Sequence, residues 1–577
     1  MKARSYRVWA PYATSLDLHA GADIVRMRRD TRGWWDSDRP MRVGDVYGYA
    51  VDGGAPIPDP RSEYQPAGIH GLSQCIDHDA FVWSDRGWQA PPLGSAIIYE
   101  LHVGTFSDAG TFDGAVARLD HLVELGVTHV ELMPVAEFSG SRGWGYDGVD
   151  LFAPHHHYGG PDALKRLVDA CHARRLAVLL DVVYNHLGPA GNYLGRFGPY
   201  FTDRYHTPWG AAINLDGAGS DPVRRFLCDN ALMWLRDYHV DGLRIDAVHA
   251  LVDTSATHVL EQLATEVETL AASIGRRLVL VAESDLNDPR VVRSREAGGY
   301  GIDAQWSDDF HHALHTVLTG ERAGYYQDFG TLGHLADALT RVFVYDGRYS
   351  PHRDRVLGRS PAGLPASRFV IAAQNHDQIG NRAQGDRLSH LVSIGRAKIA
   401  AALLLMAPYV PLLFQGEEWA ASTPFLYFTA HDDHNLGEQV RQGRRSEFAA
   451  FGWKPEQIPD AQSPATFDRT RLRWDEIHRQ PHREVLEWYR ALIALRKIHA
   501  PQAVADAEIS YDDVAMTFSV RRGRLAVACN LGSGEQRVRA DGMVLLSSSP
   551  AAFDGPSLVL SPESVAIVFG NMETHTR

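Results

Sequence analysis

From Ile97 onward the chain repeats one unit, in which a short apolar segment is followed by an amphipathic helical segment and then by another apolar one. PLGSAIIYELHV holds the first apolar strand, Ile97 to Val103; TFDGAVARLDHLVELG has helical spacing, and VTHVELMP is apolar again. Helical spacing from Asp162 to Arg174 leads into LAVLLDVVYNH, from Asp221 to Tyr238 into VDGLRID, and from Thr257 to Ile274 into RRLVLVAES. GIDAQW, RFVIAAQNHD and, after the apolar helix from Ile394 to Met406, YVPLLFQGEE bring the count to eight candidate strands. Nearly continuous apolar strands belong to parallel sheets covered on both faces. Eight strand and helix units in succession predict an α/β fold, a closed (β/α)8 TIM barrel.

The flanks have a different rhythm. Up to about Trp88, short alternating stretches such as RVWAPYATSLDLHAG and DVYGYAVDGG predict an N-terminal, Ig-like β-sandwich over residues 1–90. The barrel with its loop insertions is placed at 91–500, and MTFSVRRG and RLAVACNLG predict a C-terminal β domain over 501–577. Arg348 to Ala366, rich in Pro, Gly and Arg, is the expected mobile loop. No apolar run is long enough to span a bilayer, and MKARSYRVWAPYA lacks the apolar core of a secretory leader, so a cytoplasmic protein without a membrane partner is expected. A net charge of -14 argues against non-specific nucleic-acid binding. Cys75, Cys171, Cys228 and Cys529 are scattered without metal-ligand spacing and are expected as buried reduced thiols.

Active sites of such barrels sit at the C-terminal ends of the strands, and polar residues collect there. Asp181, Asn185 and His186 follow strand three; Arg244 and Asp246 end strand four; Glu283 ends strand five; His376 and Asp377 end strand seven. In DGLRIDAVHAL, Leu243 and Ile245 point to one face and Arg244 and Asp246 to the other. Charges at the end of a buried strand are costly unless something uses them. Three carboxylates could hold a hard divalent cation. Glu283, however, emerges from the apolar VLVAES, which raises a carboxyl pKa, while Arg244 beside Asp246 suits an anion. An acid paired with a nucleophile is what glycoside cleavage needs. Trp144, Tyr146, Trp209, Phe425, Tyr427 and Phe428 lie in the neighbouring loops and could stack on sugar rings, although each taken alone reads first as a core or loop packing residue. Glu417 and Glu418 after strand eight read either as a solvated rim or as sugar contacts.

DVVYNH, DGLRIDAVH, VAESD and QNHDQIGN, in that order at the ends of strands three, four, five and seven, resemble the α-amylase superfamily of retaining glycoside hydrolases and transglycosylases. The resemblance implies Asp246 as nucleophile, Glu283 as general acid/base and Asp377 as transition-state stabiliser. It implies His186, Arg244 and His376 as binders of the sugar at the cleavage subsite, with Tyr146 as its stacking platform; Asp181 is a further expected substrate-binding residue. YELHVGTF, LMPVAEFSGSRGWGYDGV, AESDLNDPRVV, FQGEEWAASTPFLYF, GRRSEF and the N-terminal DPRSEYQPAGIHGLS are similar to one branch of that family. Its members hydrolyse the α-1,4 bond joining a maltooligosaccharide to a terminal trehalose. The implied partners are malto-oligosyl trehalose and related α-glucans, with monomer and homodimer both open. Trp209, Glu417, Phe425 and Tyr427 are further expected substrate contacts.

The sequence departs from calcium-dependent amylases. Asn185 resembles one of their calcium ligands, but no accompanying ligand loop is identifiable, and neither metal nor cofactor is expected. His249 stands where many amylases carry a sugar-contacting Lys; it is an expected contact to trehalose, or a local hydrogen-bonding residue at a helix start. A branching enzyme would use the same three carboxylates, and a scaffold barrel would be expected to lack one. A metal-dependent phosphohydrolase finds no HxD cluster or P-loop.

Overall fold

In a computed structural model, which describes residues 5–449, 453–499 and 507–570, eight parallel strands close into a barrel. They are β1 (Ile98–Leu101), β2 (His129–Leu132), β3 (Ala177–Val182), β4 (Gly242–Ile245), β5 (Val279–Ala282), β6 (Ala304–Trp306), β7 (Phe369–Ala372) and β8 (Val410–Phe414). Every residue of all eight is buried, which is why they read as nearly continuous apolar runs, interrupted by the charged residues Glu100, Glu131, Asp181 and Arg244. The order around the barrel is the order in sequence, and Leu412 opposite Ile98 closes β8 onto β1.

Helices Gly160–Ala173, Ser220–Asp237, Val259–Ile274, Asp309–Thr319 and Ile394–Leu405 cover the barrel after β2, β3, β4, β6 and β7. The helix expected after β1 is divided into Phe112–Val116 and Leu119–Leu125, because Arg118 leaves helical geometry at φ -112° and ψ 0°. Between β5 and β6 the repeat fails. DLNDPRVVRSREAGG lacks helical periodicity and forms only a 3-10 turn at Arg295–Ala297. At the opposite end from the polar strand termini, Asp241 ties β4 in place, accepting from Trp88 Nε1 at 2.8 Å, Val178 N at 2.9 Å and Arg276 Nη2 at 2.9 Å.

The N-terminal segment forms a three-stranded sheet (Ser5–Trp9, Trp34–Pro40, Arg28–Arg29) and a four-stranded one (Asp23–Arg26, Leu16–Ala20, Val46–Val51, Ser73–Gln74). Trp9 and Tyr49 meet Tyr200 and Phe197 of the loop after β3 edge-on, at 5.4 and 6.4 Å between ring centroids. The C-terminal segment forms a five-stranded and a three-stranded antiparallel sheet, anchored on the helix Ile394–Leu405 through Arg396 and Glu563 at 2.8 Å. The boundary expected at 500–501 lies outside the described residues.

The loop from Arg348 to Ala366 is more regular than its composition suggests. Arg348–Ser350 pairs with Arg355–Leu357, Asp354 makes the turn at φ 48°, and Arg353 is tied to Asp285 after β5 at 2.9 Å. All four cysteines are buried and free. Among the described residues, no helix is long and apolar enough to cross a membrane.

Candidate active site

Arg244 organises the centre. Leu243 and Ile245, its neighbours on β4, join the apolar layer that the helices cover, so strand alternation turns Arg244 into the barrel. The guanidinium is 0% exposed and would be costly there without partners. Its Nη1 donates to both Asp181 oxygens at 2.9 Å and to Asp246 Oδ1 at 2.7 Å. Nη2 stands 3.1 Å from Glu283 Oε2, and the guanidinium carbon lies 4.4 Å from the centre of the Trp306 ring. One cation thus joins the ends of β3, β4 and β5.

Glu283 is further fixed by the backbone. Ala247, directly after Asp246, takes the left-handed conformation at φ 40° and ψ 52°, and its N–H donates to Glu283 Oε2 at 2.7 Å. Non-glycine residues rarely adopt this geometry and pay for it in strain. Burial raises the Glu283 carboxyl above its ordinary range, with Arg244 pulling the other way. Asp181 is pushed up to about 7, first by burial and against the pull of Arg244.

On the β7 side, Asn375 caps the short helix His376–Gly380, accepting from Asp377 N at 3.0 Å and Gln378 N at 3.1 Å. This explains the run QNHDQIGN locally, and it sets Asp377 Oδ1 3.5 Å from His376 Nε2. Burial opposes a charge on His376, but the buried Glu100 carboxylate of β1, hydrogen-bonded to Nδ1, raises its pKa to about 10. As a cation His376 donates from both ring nitrogens, to Glu100 and to Tyr146 Oη at 2.7 Å. The Tyr146 hydroxyl donates onward to Asp181 at 2.6 Å. Glu100, His376, Tyr146, Asp181, Arg244 and Asp246 form one continuous chain of hydrogen bonds.

Tyr146 stacks on His376 at 5.2 Å and remains half-buried. Trp209, 47% exposed on the hairpin formed by Phe201–Thr207 and Gly210–Ile213, stacks on His186 at 4.9 Å and 7°. His249 is partly exposed, 3.8 Å from the same Asp285 that holds Arg353. Two expected contacts are corrected. Phe425 is 0% exposed, packed among Trp144, Phe414 and Phe428. Trp144 shares that wedge, donating to Leu426 O at 3.0 Å. Glu417 is neither a solvated rim nor a group free for sugar. It is buried, accepts from Tyr489 Oη at 2.9 Å and Phe414 N at 3.3 Å, and is pushed up to about 8 by burial. The apolar surroundings that look like a stacking surface in sequence are filled from within. Tyr427 lies half-buried beside Arg444, 4.6 Å away.

Sequence reasoning missed Glu100, Glu131, Trp306 and Asp308. The first two sit in IIYELHV and VTHVELMP, with the same signal as DGLRID, a charge inside an apolar strand. Glu131 is fully buried next to Glu100, and burial raises its carboxyl far above the usual range. Asp308 is pushed up to about 7 by burial and then by Glu283 and Asp377, and accepts from Gln378 Nε2 at 3.1 Å. Asn185 is buried with neither side-chain polar atom hydrogen-bonded. Among the described residues, the His and carboxylate group close enough to share an ion is Glu137, His155 and His156, and no residue of the Arg244 centre belongs to it.

The family of the alpha amylase catalytic domain matches residues 80–198, and a domain of unknown function, DUF3459, matches residues 503–567. Malto-oligosyltrehalose trehalohydrolase of Arthrobacter ramosus is 50% identical over 571 residues, covering 98% of this chain and 99% of the relative. The enzyme of that name from Mycobacterium tuberculosis is 47% identical over 572 residues, with 98% of each chain covered. The crystal structure of a Salmonella typhimurium protein, provisionally called an alpha amylase, superposes with a TM-score of 0.91 at 36% identity, covering 99% of both chains. Paenibacillus barengoltzii pullulanase, at 20% identity and a TM-score of 0.71 over 98% of this chain and 94% of its own, shares the fold. With half of its residues identical over nearly the whole length of such a relative, and with the barrel and its carboxylate centre in place, the chain belongs to the malto-oligosyltrehalose trehalohydrolase family.

Proposed function

We propose that the chain hydrolyses the α-1,4-glucosidic bond next to the terminal trehalose of malto-oligosyl trehalose, releasing free trehalose with retention at the anomeric carbon. The observation that carries this reading is the sharing of one buried guanidinium by Asp246 and Glu283, in a chain so close to trehalohydrolases. Retaining enzymes need their two carboxyl groups only about 5–5.5 Å apart, and a common cation keeps them near one another. Glu283, whose acid form burial favours, gives its proton to the glycosidic oxygen while Asp246, oriented by Arg244, attacks the anomeric carbon. The glucan is then held on Asp246 as a glycosyl ester and the trehalose portion leaves. Glu283, now a carboxylate, takes a proton from water, which attacks the same carbon and regenerates both groups.

Asp377 binds the sugar hydroxyls more tightly in the distorted, charge-bearing transition state than in the ground state. The cationic His376, with Tyr146 and His186, holds the ring at the cleavage subsite, and Asp181 fixes Tyr146 and Arg244 from below. Trp209, Tyr427 and His249 are proposed outer contacts. The same reading divides the chain near residues 90 and 500. Four buried free thiols suit a reducing compartment, and the cytoplasm is the proposed location.

The test compares maltopentaosyl trehalose with maltoheptaose, products being resolved over time. Rapid release of trehalose from the first with slow attack on the second is expected. Equal attack on both, or α-1,6-branched products, would move the chain to an amylase or a branching enzyme.

A further inference from the structure

The hairpin that delivers Tyr146 is pinned at its base by a second polar cluster. Its two strands, Ala136–Glu137 and Asp150–Pro154, pair in antiparallel fashion, and RGWGYDG forms the connection between them. Glu137 ends the first strand; His155, His156 and His157 follow the second. Glu137 Oε1 lies 3.0 Å from His155 Nδ1 and 2.8 Å from His156 Nδ1, while Oε2 accepts from the His156 backbone N–H at 2.8 Å. All three ligand atoms lie within 4.8 Å of one another. Their side chains do not have to be gathered from solvent. Glu137 and His155 are fully buried, and the His155 ring is stacked on Phe138 at 3.8 Å and met edge-on by Tyr158 at 4.9 Å. One side is open, where the His156 side chain is 21% exposed and the exposed His157 ring lies 4.1 Å from it.

We propose that Glu137, His155 and His156 bind a divalent ion of borderline softness, zinc in the first instance, as a clamp across the two strands of this hairpin. Two imidazoles and a carboxylate are donors that zinc accepts, whereas calcium and magnesium require mostly oxygen ligands. A tetrahedral ion with bonds of about 2.0–2.1 Å sets its ligand atoms about 3.3 Å apart, so each contact to Glu137 has to open by only a few tenths of an ångström. Each histidine binds through Nδ1 as a neutral imidazole with its one ring proton on Nε2, so a proton leaves to solvent only from a ring that was cationic before the metal arrived. Water on the His157 side completes the coordination. The ion takes no part in bond cleavage; it cross-links the strands on either side of RGWGYDG and so stiffens the platform that Tyr146 offers.

The test uses the full chain, stripped of metal with a chelator and titrated with zinc chloride alone, by calorimetry and by thermal melting. Uptake of one zinc per chain with a Kd of about 1 μM or tighter, together with a higher melting temperature, is expected. His156→Ala, a change at a partly exposed side chain, is expected to weaken uptake at least about tenfold and to remove the zinc-dependent rise in melting temperature. Its metal-free form should turn over substrate as the metal-free parent does. Glu137→Gln should lose the site as well, and magnesium chloride should give no rise. Equal zinc uptake by the parent and His156→Ala, or uptake by the parent only at millimolar zinc, overturns the proposal.

Discussion

At the scale of single residues, the centre balances one buried cation against more carboxylates than it can neutralise. Arg244 touches Asp181, Asp246 and Glu283, and His376 answers Glu100. Asp246→Asn removes the nucleophile but keeps the volume. It is expected to lower kcat by at least about 10³-fold with the melting temperature nearly unchanged; full activity would sink the assignment. Because burial raises Glu283, the acid form persists to higher pH than for a free glutamate, and kcat/KM should fall on the alkaline side as Glu283 loses its proton. A pH profile of the parent reads that limb, and Glu283→Gln should lose turnover across the whole range. His376 has a second pH signature. Its pKa of about 10 exceeds the ordinary histidine value of about 6.5, so the stability it contributes is fully present below about pH 6.5 and is lost as pH rises through about 10. Denaturant melts between those values should show a decline in the parent that is much reduced in His376→Gln.

Among elements, the wedge formed by Trp144, Phe425 and Phe428 sets the position of the Tyr146 hairpin. The turn needs Gly145 at φ 100°, since a Cβ there would stand 2.1 Å from Pro134 O. Gly380, the last residue of the helix that carries Asp377, leaves room for Trp144, and a Cβ added there would fall 2.0 Å from Trp144 Cζ2. Gly380→Ala is therefore expected to displace the indole and cost about 1–3 kcal/mol. It should also lower kcat/KM, because Trp144 and Tyr146 belong to the same turn. Urea midpoints and kinetics on one preparation check both effects. The Trp209 side chain is different, since it is exposed at the turn of its hairpin and stacks on His186. Trp209→Ala is expected to raise KM more than it lowers kcat and to change stability by less than about 0.5 kcal/mol.

For the whole molecule, the C-terminal sheets are fastened to the barrel by buried polar contacts. Arg522, 7% exposed, donates to Leu339 O at 2.7 Å, and burial lowers its pKa to about 10. Tyr409 Oη donates to the same carbonyl at 3.1 Å, so Arg522→Ala removes one of its two hydrogen bonds and should lower the stability of the chain by about 0.5–1.5 kcal/mol, read as a lower thermal midpoint. The barrel itself was legible in the sequence, because a strand buried on both faces must be apolar throughout and a covering helix must be amphipathic. For the same reason Arg244, Asp246, Glu283, His376 and Asp377 stood out, as charges placed where only a use justifies them. Glu417 and Phe425 looked alike in sequence whether facing a ligand or a core, and only packing decided that both are filled from within. Glu100 and Glu131 carried the same local signal as Arg244, yet their role depends on a partner from β7 or on each other across neighbouring strands. The left-handed turn at Ala247 and the meeting of Glu137 with His155 and His156 likewise belong to the tertiary structure. Periodicity records which face of an element is buried; it does not record which buried groups, distant in sequence, are brought together.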